Sequence, residues 1–214
     1  MKLTIRVAMA TLISIGICIR SGKAIQTSQP LAVTACLSRD NVALFDATLA
    51  EEIASRMFAR IGIALHWREV GHNCPGEAIV VSLTTRTPEG LQPHALAYTL
   101  PYEGTHIRVF LDRIRHQALL NSPNFERHLL AHVLVHEITH LLEGTNGHSN
   151  RGVMKARWEH ADFGQMMTSA GLPFTPEDVS LIRRGLELRA AHPRSTIVAV
   201  MDYNWDTSLF GLRP

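Results

Sequence analysis

The stretch from about Phe125 to Glu143 constrains this chain more than any other. Leu129, Val133, Leu134, Ile138, Leu141 and Leu142 recur at helical spacing and form an apolar stripe, which predicts a helix packed into a core. Gly144 is the expected stop, and Ser122 the expected N-cap with Pro123 at the first helical position. This helix also carries His136-Glu137-Ile138-Thr139-His140. At about 3.6 residues per turn, His136 and His140 lie one turn apart on one face, so both rings can reach a single point. Glu137 projects about 100° round from His136, beside that point rather than onto it.

Two imidazoles converging in this way suit zinc, which takes its nitrogen ligands at about 2.0–2.1 Å. A carboxylate beside the metal can take a proton from a zinc-bound water and return it to a leaving group, so Glu137 is the candidate general base. After Gly144 stops the helix, the short polar loop Thr145-Asn146-Gly147 leads to His148. Folding back, that loop can supply His148 as a third ligand and leave a fourth position open for water, as catalytic zinc requires. Glu159, His160 and Asp162 are alternatives for the third ligand. Ser149 and Asn146 are candidates to hydrogen-bond around the loop and orient His148.

The chain holds 12 histidines, most of them between His94 and His160, so each needs its own reading. His128 and His132 continue the four-residue spacing, but each step drifts about 40° round the helix, away from the same point. They read as exposed or hydrogen-bonded helix histidines, and His94, His106 and His116 as surface residues.

The run His136 to Trp158, HEITHLLEGTNGHSNRGVMKARW, resembles the metzincin clan of zinc peptidases, and more closely a group of bacterial exported metzincin-like proteins. The resemblance covers these 23 residues and implies a zincin-like fold. It also implies His136, His140 and His148 as ligands of one Zn2+, Glu137 as base, and Met154 as the methionine of a tight turn beneath the metal. Gly152, just before it, would help that turn adopt angles closed to other residues. In ordinary metzincins the glycine stands three and the third histidine six residues after the second histidine. Here Gly144 is four and His148 eight residues after His140, and Trp158 stands where no nearby tyrosine is found.

Elsewhere the patterning predicts strands at Leu31–Leu37, Ile63–Trp67, Ala78–Leu83, Ala95–Leu100 and His106–Leu111. The run AIVVSL at Ala78–Leu83 reads as a central, well-buried strand. A turn over Pro101–Gly104 would join the last two strands as a hairpin, with Pro101 limiting the first to an edge or a strand end. Helices are expected over Val42–Ile61, ended by Gly62, and over Pro176–Ala190, capped by Thr175. The fold class is therefore α+β: a single zincin-like domain with a mixed sheet, a helix packed on it, the helix bearing the two histidines, and a C-terminal helix.

Residues 1–24 read as a signal peptide: Lys2 and Arg6 precede an apolar run from Val7 to Ile19, with cleavage expected after Ala24. The domain then spans 25–191, and 192–214 forms a tail containing the strand-like run Thr196–Met201. Export predicts a disulfide between Cys36 and Cys74, since Cys18 leaves with the signal. With a formal charge of +2 and no basic run, the chain has no footprint for nucleic acid, and no stable membrane insertion is expected after cleavage. These features point to a secreted or periplasmic zinc metallohydrolase, with an endopeptidase acting on peptide or protein substrates as the leading reading. The alternatives are a non-catalytic exported zinc-binding protein on the same fold, and a zinc hydrolase of a non-peptide amide or ester.

Overall fold

The computed structural model describes residues 31–39, 42–71, 74–99, 105–122 and 124–191. The expected signal peptide, the tail after 191, the Pro101–Gly104 turn and Pro123 lie outside the described residues. Five strands form one mixed sheet: β1 (Leu31–Leu37), β2 (Ile63–Glu69), β3 (Ile79–Thr84), β4 (Ala97–Thr99) and β5 (His106–Phe110). Their order is β2-β1-β3-β5-β4. The β-branched run of β3 takes the central place, as its composition predicts.

β1 pairs in parallel with β2 and β3, and β3 in parallel with β5, while β4 runs antiparallel to β5 at the edge. The connection between β1 and β2 is the helix α1 (Leu44–Ala59), which is why those two neighbours can be parallel. Gly62 follows α1 with a φ of 78°, a left-handed angle that lets the chain reverse into β2. Alternate residues supply one apolar sheet face: Val33, Ala35 and Leu37 from β1, Ile79, Val81 and Leu83 from β3, and Ile107 and Val109 from β5. Cys36 and Cys74 form the expected disulfide, with Cα atoms 6.0 Å apart, tying β1 to the connection that leads into β3.

Against this face lies α3 (Phe125–Glu143), the helix predicted at those bounds. Ala131 to His136 are buried without interruption. Six consecutive residues turn through more than a full circle, so α3 is enclosed on every side rather than along one stripe. α1, α5 (Pro176–Ala191), α2 (Leu111–Leu119), α4 (His160–Met166) and the β4–β5 edge all pack onto it.

Two expectations are corrected, and one further helix is added. Leu111 opens α2 instead of ending a strand, and Leu111, Ile114 and Ala118 give this unforeseen helix its buried side. α4 was also unforeseen; at 7 residues it is too short to show a hydrophobic period, and a capping box between Glu159 and Asp162 defines it. The N-cap of α3 is Asn124, not Ser122, whose hydroxyl is buried without a partner. Thr175 does cap α5: its Oγ1 accepts from the Asp178 N–H at 3.1 Å, and the Asp178 carboxylate accepts from the Thr175 N–H at 2.7 Å.

Candidate metal centre

The four-residue spacing on α3 brings the His136 and His140 rings to 4.6 Å between centroids. Gly144, the C-cap, turns the chain with φ 68° and ψ 27°, a left-handed conformation that glycine adopts without penalty. The loop then folds back, placing the His148 ring 5.3 Å from His136 and 4.9 Å from His140. One nitrogen from each of the three rings lies within 4.8 Å of the others. Among the described residues this is the one group of three or more such side chains able to hold a metal ion.

Backbone carbonyls fix two of the rings. His136 Nδ1 donates to the Val153 oxygen at 2.9 Å, and His140 Nδ1 donates to the Thr145 oxygen at 3.0 Å. Burial holds both histidines neutral, lowering His136 to about 3 and His140 to about 4, with the neighbouring imidazoles adding to each shift. A neutral ring with its proton on Nδ1 carries a lone pair on Nε2. The two Nε2 atoms nevertheless face each other at 3.0 Å. With both Nδ1 protons committed, no hydrogen bond can join them, and two opposed lone pairs at that separation call for a cation between them. The residues present therefore fit a metal ion, and a set of three imidazoles is the chemistry zinc accepts.

Met154 is buried in a tight turn that follows. Its carbonyl accepts from the Ser149 N–H at 2.8 Å, and Ser149 pairs with Lys155 as an isolated bridge. Gly152 enters this turn at φ 75°, and a Cβ there would come within 2.2 Å of the Pro173 carbonyl oxygen. The turn thus presents the Val153 carbonyl to His136, which explains why a glycine precedes it. The Trp158 ring meets His136 edge to face at 5.5 Å, and its indole N–H is buried without a partner. Trp67, by contrast, donates its indole N–H to Glu51 O and Ser55 Oγ.

Glu137 directly follows His136 on α3, and burial alone pushes its carboxyl up to about 8. Of the alternative third ligands, two are engaged elsewhere and one is exposed. Glu159 caps α4 and pairs with Lys155, Asp162 binds Lys155 Nζ at 2.6 Å and the Glu159 N–H at 2.8 Å, and His160 is exposed. Asn146 is exposed, and Ser149 turns its hydroxyl to Asp178.

No protein-family model matches this chain, and no curated protein matches it. Among solved structures it is similar to the crystal structure of archaemetzincin from Methanopyrus kandleri. The TM-score is 0.49 at 15% sequence identity, covering 76% of this chain and 99% of that one.

Three contributors were missing from the sequence reading. The carbonyls of Val153 and Thr145 carry no sequence signal, because every residue has one. Asp178 had a signal, the Thr175-x-x-Asp178 spacing of a helix cap, but nothing in that spacing points to the loop bearing His148. His128 and His132 are hydrogen-bonded, as expected. His128 Nδ1 donates to Met166 O at 2.9 Å, and His132 joins His128 O at 2.6 Å to the Leu172 N–H at 3.1 Å.

Proposed function

We propose that this protein is an exported zinc-dependent hydrolase on a zincin-like domain, and that it cleaves peptide bonds. The observation that carries the proposal is the pair of Nε2 atoms facing each other at 3.0 Å, with both Nδ1 protons already given to carbonyls. His148 completes a three-imidazole set, which leaves one position open, as in catalytic rather than structural zinc sites. Zinc held by these residues would supply Lewis acidity, making water more acidic and polarising a carbonyl.

The chain's own residues do the rest. His136 and His140 enter the site already oriented through their Nδ1 bonds, so little reorganisation is needed on binding. Glu137, one residue along α3, receives the proton of the attacking water and passes it to the leaving nitrogen. Burial favours its protonated form, a cation among the histidines favours the ionised form, and the balance suits a base that must work in both directions near neutrality. Met154 and Gly152 hold the turn that orients His136. Beside α3, the short strand β4 stands last in the sheet order, and an extended peptide can lie along such an edge. The Cys36–Cys74 disulfide accords with an oxidising compartment outside the cytosol. Among the described residues no helix is long and apolar enough to cross a membrane.

The test pairs metal content with cleavage. Purified protein should hold about one zinc per chain and cleave members of a mixed peptide library, and Glu137→Ala should keep the zinc while losing about 100-fold or more in rate. Zinc with no cleavage by either form would favour a binding protein. Absence of zinc would sink the proposal entirely.

A further inference from the structure

His148 differs from the other two histidines in how it is held. His136 and His140 are fixed at the ring by backbone carbonyls, and both are buried. His148 is exposed, and no ring hydrogen bond orients it among the described residues. What is anchored is the next residue. Ser149 donates its N–H to Met154 O at 2.8 Å, and its hydroxyl donates to Asp178 Oδ1 at 2.6 Å. Asp178 is 3% exposed, and its other oxygen accepts the Thr175 N–H that begins α5. A buried carboxylate receiving two such bonds makes short, stiff contacts, stronger than those between neutral groups.

We propose that Asp178, acting through Ser149, is the positioning residue for His148, so that the docking of α5 and the affinity of the metal centre are coupled. This rests on the zinc reading above and adds to it a part of the fold that lies 30 residues downstream of the ligand. The chain of contacts is short: the first turn of α5 holds Asp178, Asp178 holds the Ser149 hydroxyl, and Ser149 fixes the backbone from which the His148 ring departs. A polar loop that must fold back from Gly144 to bring up His148 has conformations to lose when it delivers a ligand. The Asp178 tether removes many of them before the metal arrives. Coupling of this kind is reciprocal, so metal binding must also tighten α5.

Ser149→Ala tests the tether while leaving the Thr175–Asp178 cap of α5 in place. Zinc affinity, measured by competition with a chromophoric chelator, should fall about 10- to 100-fold in Ser149→Ala. Asp178→Asn, which keeps the shape and loses the charge, should fall between that variant and wild type. Hydrogen exchange supplies a readout that a merely structural role would not move. In wild type, zinc should slow exchange of α5 amides more than that of β1 amides. In Ser149→Ala this extra protection should vanish. Wild-type affinity in Ser149→Ala, or α5 exchange that ignores zinc in the wild type, overturns the coupling while leaving the zinc site intact. A wild-type protein that binds no zinc overturns both.

Discussion

His136 Nε2 and His140 Nε2 stand 3.0 Å apart, each on a ring whose Nδ1 proton belongs to a backbone carbonyl. Two lone pairs in opposition carry an electrostatic cost, which a bound cation would turn into coordination. Zinc should raise the unfolding midpoint, and a strong chelator should lower it again. At a free zinc concentration 1,000 times Kd the gain is about 4 kcal/mol, and it should shrink in His148→Ala as Kd rises. Calorimetric scans with and without chelator check this; midpoints indifferent to zinc would count against the site.

Gly152 cannot accept a side chain. Its φ of 75° is left-handed, and a Cβ would approach the Pro173 carbonyl oxygen to 2.2 Å, although that same oxygen receives the Val153 N–H at 2.9 Å. Gly152→Ala should cost about 2–5 kcal/mol from the backbone angle and the clash together. It should also weaken zinc binding, because the displaced Val153 carbonyl orients His136. Denaturant unfolding and zinc titration of the same variant measure the two effects.

Gly185 reverses a familiar expectation. Glycine to alanine inside a helix ordinarily gains about 1 kcal/mol. In α5, however, a Cβ at Gly185 would fall 1.6 Å from the Leu142 carbonyl oxygen of α3. Gly185→Ala should thus destabilise, forcing α5 away from the helix it packs on. Arg189, which donates to Leu141 O at 2.8 Å, would lose that contact as well. An alanine variant as stable as wild type would show that the two helices are not so closely packed.

His132 gives the fold an acid limit. It is fully buried, and burial lowers its pKa to about 4 from an ordinary value near 6.5. As pH falls below about 6.5 the unfolded chain binds the proton first, so stability drops between about 6.5 and 4 and is fully present above that window. The full loss is about 3 kcal/mol. Protonation also puts a second N–H against the Leu172 N–H, which now donates to His132 Nε2. Urea midpoints across pH 4 to 7 should slope more steeply in wild type than in His132→Gln. Parallel slopes would refute the assignment.

Legibility followed sequence separation. The His136–His140 pair and its Glu137 neighbour could be read because one helical turn fixes their geometry locally. Gly144 was legible as a helix end, while α1 stops at Ala59 with Arg60 as its C-cap and Gly62 makes the left-handed turn just beyond, since backbone angles closed to other residues need glycine. The central place of β3 followed from its β-branched run, and the edge position of β4 accords with the proline expected near its end. α2 escaped because its first residue, Leu111, continues the strand pattern of β5 and leaves only Ile114 and Ala118 to mark a buried helix side, and α4 because 7 residues carry no period.

The sequence by itself determined that two imidazoles and a carboxylate share one helix and that a histidine-bearing loop follows it. Only the tertiary structure decided that His148, rather than Glu159, His160 or Asp162, lies beside the other two rings. It alone showed that Val153 and Thr145 orient those rings, and that Asp178 reaches the loop from the start of α5. The physical reason is one of range. Helix periodicity fixes relations among residues a few positions apart, whereas the Ser149–Asp178 bond spans 29 positions and exists only because α5 packs on α3. Packing of that kind is set by how whole surfaces fit, and no short run of sequence contains both surfaces.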